Sequence, residues 1–258
     1  MKTHKISFCK KLFCLGLIFT MLFCSSTSVL ALEPEVNYDE FLISKGMPQS
    51  VINQLPEKQK ELIYSTVGEN ATYSSFDREV ILDNNYNGSD ASTYGTIPSY
   101  AMTFTVVGFE DYDNYYAIYP SFVWNTTAKL ANDAFVMALY PGWEVVPGDT
   151  EHNLAVWTRD EYDDLIGDVD IEATASSAYG FGYVIPKSVY KVTGDYEGHS
   201  YIHAIKTNSN ATHGISLCYA DDTSTNFTAV YGISITAGSA GISSTSSSVN
   251  YRSALLSF

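Results

Sequence analysis

The residues with the sharpest chemical pattern are DNNYNGSD, Asp83 to Asp90. In a calcium loop, positions 1, 3 and 5 bring side-chain oxygens round the ion, a glycine at 6 makes the sharp turn, and position 7 offers its carbonyl. Asp83, Asn85, Asn87, Gly88 and Ser89 fill those places in order. The match decays beyond them. Tyr94 stands where a bidentate Glu belongs, and the preceding REVIL reads as strand rather than helix. Only Asp83 and Asp90 bring charge, so the site would hold calcium weakly, in roughly the millimolar class of extracellular modules. Asn87-Gly88 is also a strong turn signal in its own right, and Asx side chains satisfy turn backbones without an ion. The turn is the preferred reading, and weak calcium is the one cofactor the sequence brings up.

Carboxylates and histidines raise further chemistry. On a strand, DVDIEA places Asp168, Asp170 and Glu172 on one face about 6.6 Å apart, with Val169, Ile171 and Ala173 facing inward. That spacing falls within the roughly 5–9.5 Å used by carboxylate pairs in glycoside hydrolysis. It is equally the ordinary outer face of a soluble strand. His199 and His203 lie four apart in HSYIHAI, but this segment alternates as a strand, which separates them by about 13 Å. His203 and His213 face each other only if TNSNAT closes a hairpin centred on Asn208, and no third metal ligand accompanies them. Nucleophile signatures are poor: the chain has no G-x-S-x-G, H-E-x-x-H or C-x-x-C. Ser188 and Lys191 have S-x-x-K spacing on a segment that reads as strand, where that chemistry needs a helix. Cys218, in ISLCYA, reads as a small buried hydrophobe. No catalytic residue is assigned.

The composition holds 20 Tyr, 13 Phe and 3 Trp, a surplus that must be either core or ligand surface. In AYGFGYV, Tyr179, Phe181 and Tyr183 line one strand face while Gly180 and Gly182 leave the other bare. Rings about 6.6 Å apart stack on successive sugar rings, and a bare glycine face admits a close neighbour. The same rings also suit a core, with tyrosine hydroxyls reaching its rim. Core packing is preferred, and the row is the ligand-binding candidate.

These residues need a scaffold, and its language changes along the chain. Residues 1–31 read as a secretory signal: Lys2, Lys5, Lys10 and Lys11 precede the apolar LFCLGLIFTMLFC, and Val29 and Ala31 prepare a cut after Ala31. The apolar run is shorter than the roughly 20 residues that span a bilayer, and no second one follows. Cleavage takes away four of 14 basic residues and none of the 29 acidic ones, moving the net charge from −15 to −19. Such a charge argues against nucleic acid or an anionic lipid surface as partner. Cys9, Cys14 and Cys24 leave as well, so the remaining Cys218 has no intramolecular partner and the core alone must hold the fold.

Residues 32–70 predict a short helical cap. Asn37 and Glu40 have capping-box spacing, Gly46 stops the first helix, and Pro48 and Pro56 start two more. From 71 to 258, short alternating strands punctuated by Gly, Asn, Asp and Pro predict a mainly β domain, an antiparallel β-sandwich or partly open barrel. SYAMTFTVVGFE and NYYAIYPSFVW, joined by DYDN, predict a long hairpin.

Three functions fit these readings. The preferred one is a secreted, non-catalytic binding module for an extracellular glycan or cell-envelope component. A membrane-active, toxin-like protein is the alternative, because AVYGISITAGSAGISSTSSSV alternates small, apolar and hydroxyl residues as a membrane hairpin does. A carboxylate-dependent hydrolase is the third and rests on Asp168 to Glu172 alone.

Overall fold

The computed structural model describes residues 36–79, 95–98, 101–112, 114–124, 132–147, 153–159, 165–186, 196–223, 230–245 and 249–258. Residues 1–31, DNNYNGSD and the Ser188–Lys191 stretch lie outside the described residues. Three short helices come first: α1 (Tyr38–Ser44), α2 (Gln49–Ile52) and α3 (Glu57–Thr66). Gly46, at φ +87°, ends α1 in the left-handed conformation that glycine adopts without steric cost. Met47 N then donates to Leu42 O and Gly46 N to Ile43 O, the paired bonds of a Schellman stop, with Leu42 and Met47 buried together. Pro48 and Pro56 sit one residue before their helices, at the N-caps, with extended ψ.

The rest is strand. In chain order these are β1 (Thr72–Arg78), β2 (Gly95–Thr96), β3 (Met102–Tyr112), β4 (Tyr115–Trp124), β5 (Asp133–Leu139), β6 (Trp143–Val145), β7 (Asn153–Arg159) and β8 (Leu165–Glu172). They continue with β9 (Ala175–Ser177), β10 (Gly180–Ile185), β11 (Tyr196–His199), β12 (Ile202–Lys206), β13 (Ile215–Asp222), β14 (Tyr231–Thr236), β15 (Ser239–Ser244) and β16 (Val249–Leu256). A first sheet runs β1-β3-β4-β11-β7-β8, with β12 also on β4 and β6 on β12. A second runs β2-β16-β13-β5-β10-β9, antiparallel except where β2 meets β16. The hairpin β14–β15 is a third sheet of its own. The sheets are stacked and not closed, which settles the sandwich against the barrel.

The stacking explains the burial. Phe104, Val106, Ile118 and Phe122 of the first sheet meet Phe135, Met137, Tyr183 and Leu217 of the second in the main core. The outer face of the first sheet carries Val107, Phe109, Ala117 and Tyr119, and the helices cover it with Leu42, Ile52, Leu55 and Ile63. On the outer face of the second, Ala134, Ala220 and Val249 lie beneath Tyr231 and Ile242 of the hairpin. Central strands therefore bury both faces, so β5 and β13 are buried along their whole length. Helices and sheets together form one unit, Tyr38–Phe258.

The β3–β4 hairpin pairs from Met102↔Trp124 to Tyr112↔Tyr115, as its alternation predicts. Beyond β4 a single line of strand breaks in two: β11 pairs with Ser121–Val123 and β12 with Tyr115–Ile118. Pro120 sits opposite the break, where its carbonyl accepts from Ser200 N and its ring has no N–H to return. The strand changes course where the ladder loses that donor.

Candidate functional site

The expected ring row on β10 is used up inside the protein. Phe181 and Tyr183 are buried in the main core, and the Tyr183 hydroxyl lies 3.1 Å from Ser200 Oγ. Tyr179 is half-buried in the turn before β10. The row presents no flat ring surface because β10 lies between β5 and β9 in a sheet covered on both faces. The bare glycine face is used too. A Cβ on Gly182 would lie 2.6 Å from Cγ2 of Ile233, a residue of the β14–β15 hairpin.

The carboxylates of β8 follow the solvated-face reading. Asp168, Asp170 and Glu172 are exposed along one face of β8, while Ile171 is buried in the core. Their register partners are Trp157, Ala155 and Asn153, so none opposes another carboxylate across the ladder. They form a solvated strand face.

The two histidines do not form a pair. β12 belongs to the first sheet and β13 to the second, so the segment between them crosses the sandwich instead of closing a hairpin. His203 lies against Tyr115 and Tyr201. His213 packs among Tyr116, Trp143 and Phe258, with Nδ1 3.1 Å from Phe258 O and Nε2 3.2 Å from Lys206 Nζ. Burial, with the Lys206 ammonium beside it, lowers the His213 pKa below the ordinary 6.5. Cys218 is buried and accepts from Ser253 Oγ at 3.4 Å, and burial raises its thiol pKa.

Two buried polar clusters were not legible in the sequence. In the first, Asp133 accepts from the Tyr196 hydroxyl at 2.9 Å, the Tyr219 hydroxyl at 2.6 Å and the Asp222 amide at 3.2 Å. Asp133 ties β5 to β13, its neighbour in the second sheet, and to β11 of the first. Among the described residues, no group of three His, Cys, Asp or Glu is disposed to hold a metal ion.

In the second, Ser121 stands opposite His199 in the β4–β11 register, and Glu197 shares that face. All three are buried beneath the helices. The types suggest a nucleophilic triad, but the geometry does not. His199 Nε2 faces Glu197 Oε1 at 3.6 Å, and Ser121 Oγ lies 2.5 Å from Thr105 Oγ1 and 3.3 Å from Gln59 Oε1. Ser121 and Gln59 join sheet to helix, and Gln59 Nε2 also donates to Tyr119 O at 3.2 Å. Ser121 is fully buried.

The surface feature that does stand out is a column of rings. Tyr112 and Tyr115 flank the tip of the β3–β4 hairpin, stacked at 4.8 Å with 17° between planes. His203 follows 5.6 Å from Tyr115, and Tyr201 5.3 Å from His203. Tyr201 lies 6.2 Å from Tyr119, whose buried hydroxyl meets Thr66 of α3 at 3.0 Å. Exposure grades along the column: Tyr119 is buried, Tyr201, His203 and Tyr115 are half-buried, and Tyr112 is 62% exposed. The β12–β4 pairing, with His203 opposite Ala117, builds the column from segments far apart in sequence. Polar groups stand close by. Asn114 sits at the tip with φ +66°, and Glu144, opposite Ile205, shares the face of His203. The sequence signal for this site is DYDNYY, an aromatic pair bracketing a tight polar turn.

No family model matches the chain, and no curated protein matches it. Solved structures with partial likeness include a pore forming protein, with a TM-score of 0.33 and 10% identity over 72% of this chain and 90% of that one. The collagen-binding domain from a Staphylococcus aureus adhesin gives a TM-score of 0.28 and 7% identity over 54% and 87%. The pilus backbone (RrgB) from Streptococcus pneumoniae gives 0.27 and 11% over 59% and 43%. At these values the likeness carries no argument about what this chain does. Among the described residues, no helix is long and apolar enough to cross a membrane.

Proposed function

We propose that this chain is an extracellular binding module whose ligand face is the ring column of Tyr112, Tyr115, His203 and Tyr201, and whose ligand is a pyranose glycan of a cell envelope or extracellular surface. The observation that carries the reading is Tyr112, a large ring stacked on one face by Tyr115 and left 62% exposed. Water gains nothing from an ordered aromatic plane, whereas the C–H face of a pyranose packs on one and its equatorial hydroxyls reach sideways to polar groups. Asn114 and Glu144 are the nearby hydrogen-bonding groups on that side. Secretion rests on the basic, apolar N-terminal segment of the sequence.

Co-sedimentation with insoluble cell-wall glycan tests this, comparing the full chain with Tyr112→Ala. The wild type is expected to pellet and Tyr112→Ala to bind at least tenfold more weakly, with its melting temperature unchanged because so exposed a ring holds little of the core. A wild type that stays in the supernatant, or a variant that pellets as well, overturns the reading. A parallel arm with EDTA tests calcium at Asp83, Asn85, Asn87 and Ser89. Loss of pelleting there is the result that loop requires.

A further inference from the structure

The hairpin β14–β15 has a property that a simple third layer does not need. From Thr223 to Tyr251 the sequence contains no Asp, Glu, Lys or Arg, in a chain of net charge −15. The exposed face of β8 shows how this protein dresses an ordinary outer strand, with Asp168, Asp170 and Glu172. The exposed positions of its two strands are glycine and hydroxyls: Gly232, Ser234, Thr236, Ser239 and Ser243. Its register gathers Tyr231, Ile233, Ile235, Ala240 and Ile242 on the opposite face, with Ser244 at the open end. One face apolar, one face hydroxylated and no charge anywhere is the pattern of a strand pair that meets lipid on one side and water on the other. A charge at the bilayer centre is costly, so its absence has a use there.

The hairpin is also separable. It adds no strand to either main sheet, so lifting it leaves both ladders intact. Its hydrogen bonds to the body include Gly238 N to Leu139 O at 2.7 Å, Ala240 N to Ser216 Oγ at 3.2 Å and the Tyr231 hydroxyl to Asn132 O at 2.7 Å. Beneath it lie Gly182, Ala134, Ala220 and Val249. Each described strand holds 6 residues, and the uncharged sequence continues beyond them to Thr223 and Tyr251.

We propose that β14–β15 is a releasable hairpin that enters a lipid bilayer, with the Tyr231, Ile233, Ile235 and Ile242 face toward the acyl chains. A lone hairpin has two unpaired edges, which hydrocarbon does not tolerate. Insertion therefore requires several copies of this chain pairing edge to edge, with their hydroxyl faces lining a water-filled path. The bilayer it suits is zwitterionic, because a chain this acidic is repelled by anionic lipid. This activity does not depend on the ring column, which lies on the outer face of the other sheet.

A covalent lock tests it. The Ile242 backbone lies within hydrogen-bonding reach of the Cys218 thiol. In a chain with Cys9, Cys14 and Cys24 replaced by serine, Ile242→Cys can then be oxidised against Cys218 to pin the hairpin down. Dye release from phosphatidylcholine vesicles is measured at pH 7 and pH 5. The reduced variant is expected to release dye, oxidation to slow release at least tenfold, and dithiothreitol to restore it. A second lock, Ser216→Cys with Ala240→Cys on a Cys218→Ser background, guards against a packing defect in the first. Glycan pelleting of the locked chain should be unchanged, which keeps this test separate from that of the ring column. Absence of release by the unlocked chain at both pH values, or equal release from locked and unlocked forms, overturns the proposal.

Discussion

Gly182→Ala isolates the seat of the hairpin. A Cβ at that position would lie 2.6 Å from Ile233 Cγ2, 3.1 Å from Ile233 Cδ1 and 3.3 Å from Val136 Cγ2. Carbon atoms pack at about 3.5–4.0 Å, so the added methyl falls short by roughly 1 Å on the Ile233 side. Forcing an extra methyl into packed surroundings costs about 1–3 kcal/mol. Replacing a strand glycine by alanine returns roughly 0.5–1 kcal/mol of backbone entropy. The net expectation is a loss of up to about 2.5 kcal/mol, which at this chain length lowers the melting temperature by as much as roughly 10 °C. Ile233→Ala removes both offending carbons. In that background Gly182→Ala should be neutral or stabilising, so the coupling between the two sites is about 1–3 kcal/mol. Urea denaturation of the four proteins of the cycle measures it, and amide exchange at Ile233 and Ile235 shows whether the strain is relieved by lifting the hairpin. A coupling within about 0.5 kcal/mol of zero, the limit of independent sites, would refute the claimed contact.

Asp133→Ala leaves the Tyr196 and Tyr219 hydroxyls and the Asp222 amide without that acceptor. The two hydroxyls keep their mutual bond at 2.8 Å, so one hydroxyl and the amide lose an acceptor at about 1–3 kcal/mol each. A loss of roughly 2–6 kcal/mol in chemical denaturation is expected, and a loss below about 1 kcal/mol would deny the cluster a structural role. His213 binds its proton more weakly folded than unfolded, because burial and Lys206 oppose the charge. Its contribution to stability is therefore complete above the unfolded value of about 6.5 and is lost as pH falls from there through the lowered folded value. The wild type minus His213→Gln difference in melting temperature should shrink as the pH drops below about 6.5, and a difference that stays constant from pH 7.5 to 5 contradicts the assignment.

Local patterns were legible where the chain makes its structure locally. The β3–β4 hairpin follows from alternation on both sides of a four-residue polar turn, and the solvated face of β8 follows from strict D-V-D-I-E spacing. The first helix stop is written in Gly46. What the sequence hides is which strands have a cover on their second face. AYGFGYV has the same alternation whether its rings face solvent or core, and only the place of β10 between β5 and β9, under the hairpin, decides it. The ring column was missed for the complementary reason. Tyr115 and His203 meet through β4–β12 pairing, and no window of sequence contains both. The crossing of residues 207–214 from one sheet to the other likewise undoes a symmetry about Asn208 that looks like a hairpin on paper.

The two outer layers are not equivalent. The helices reach the first sheet through groups that must stay buried. Gln59 bonds Tyr119 O and Ser121, and the Tyr119 hydroxyl meets Thr66 beneath the helix. Lys60, itself largely buried, meets Asp39 at 2.6 Å to join α3 to α1. Lifting that layer would break the Gln59 and Tyr119–Thr66 bonds and expose Leu42, Ile52, Leu55 and Ile63, with the sheet face beneath them, to water. The hairpin carries no charge and rests on Gly182, Ala134, Ala220 and Val249, a smaller apolar seat. Lys58 adds to the contrast, its ammonium 4.1 Å over the Trp157 ring of β7, a cation held between helix and sheet. A fold that fixes one cover by buried polar bonds and gives the other a smaller apolar seat has placed its ease of opening on the hairpin side.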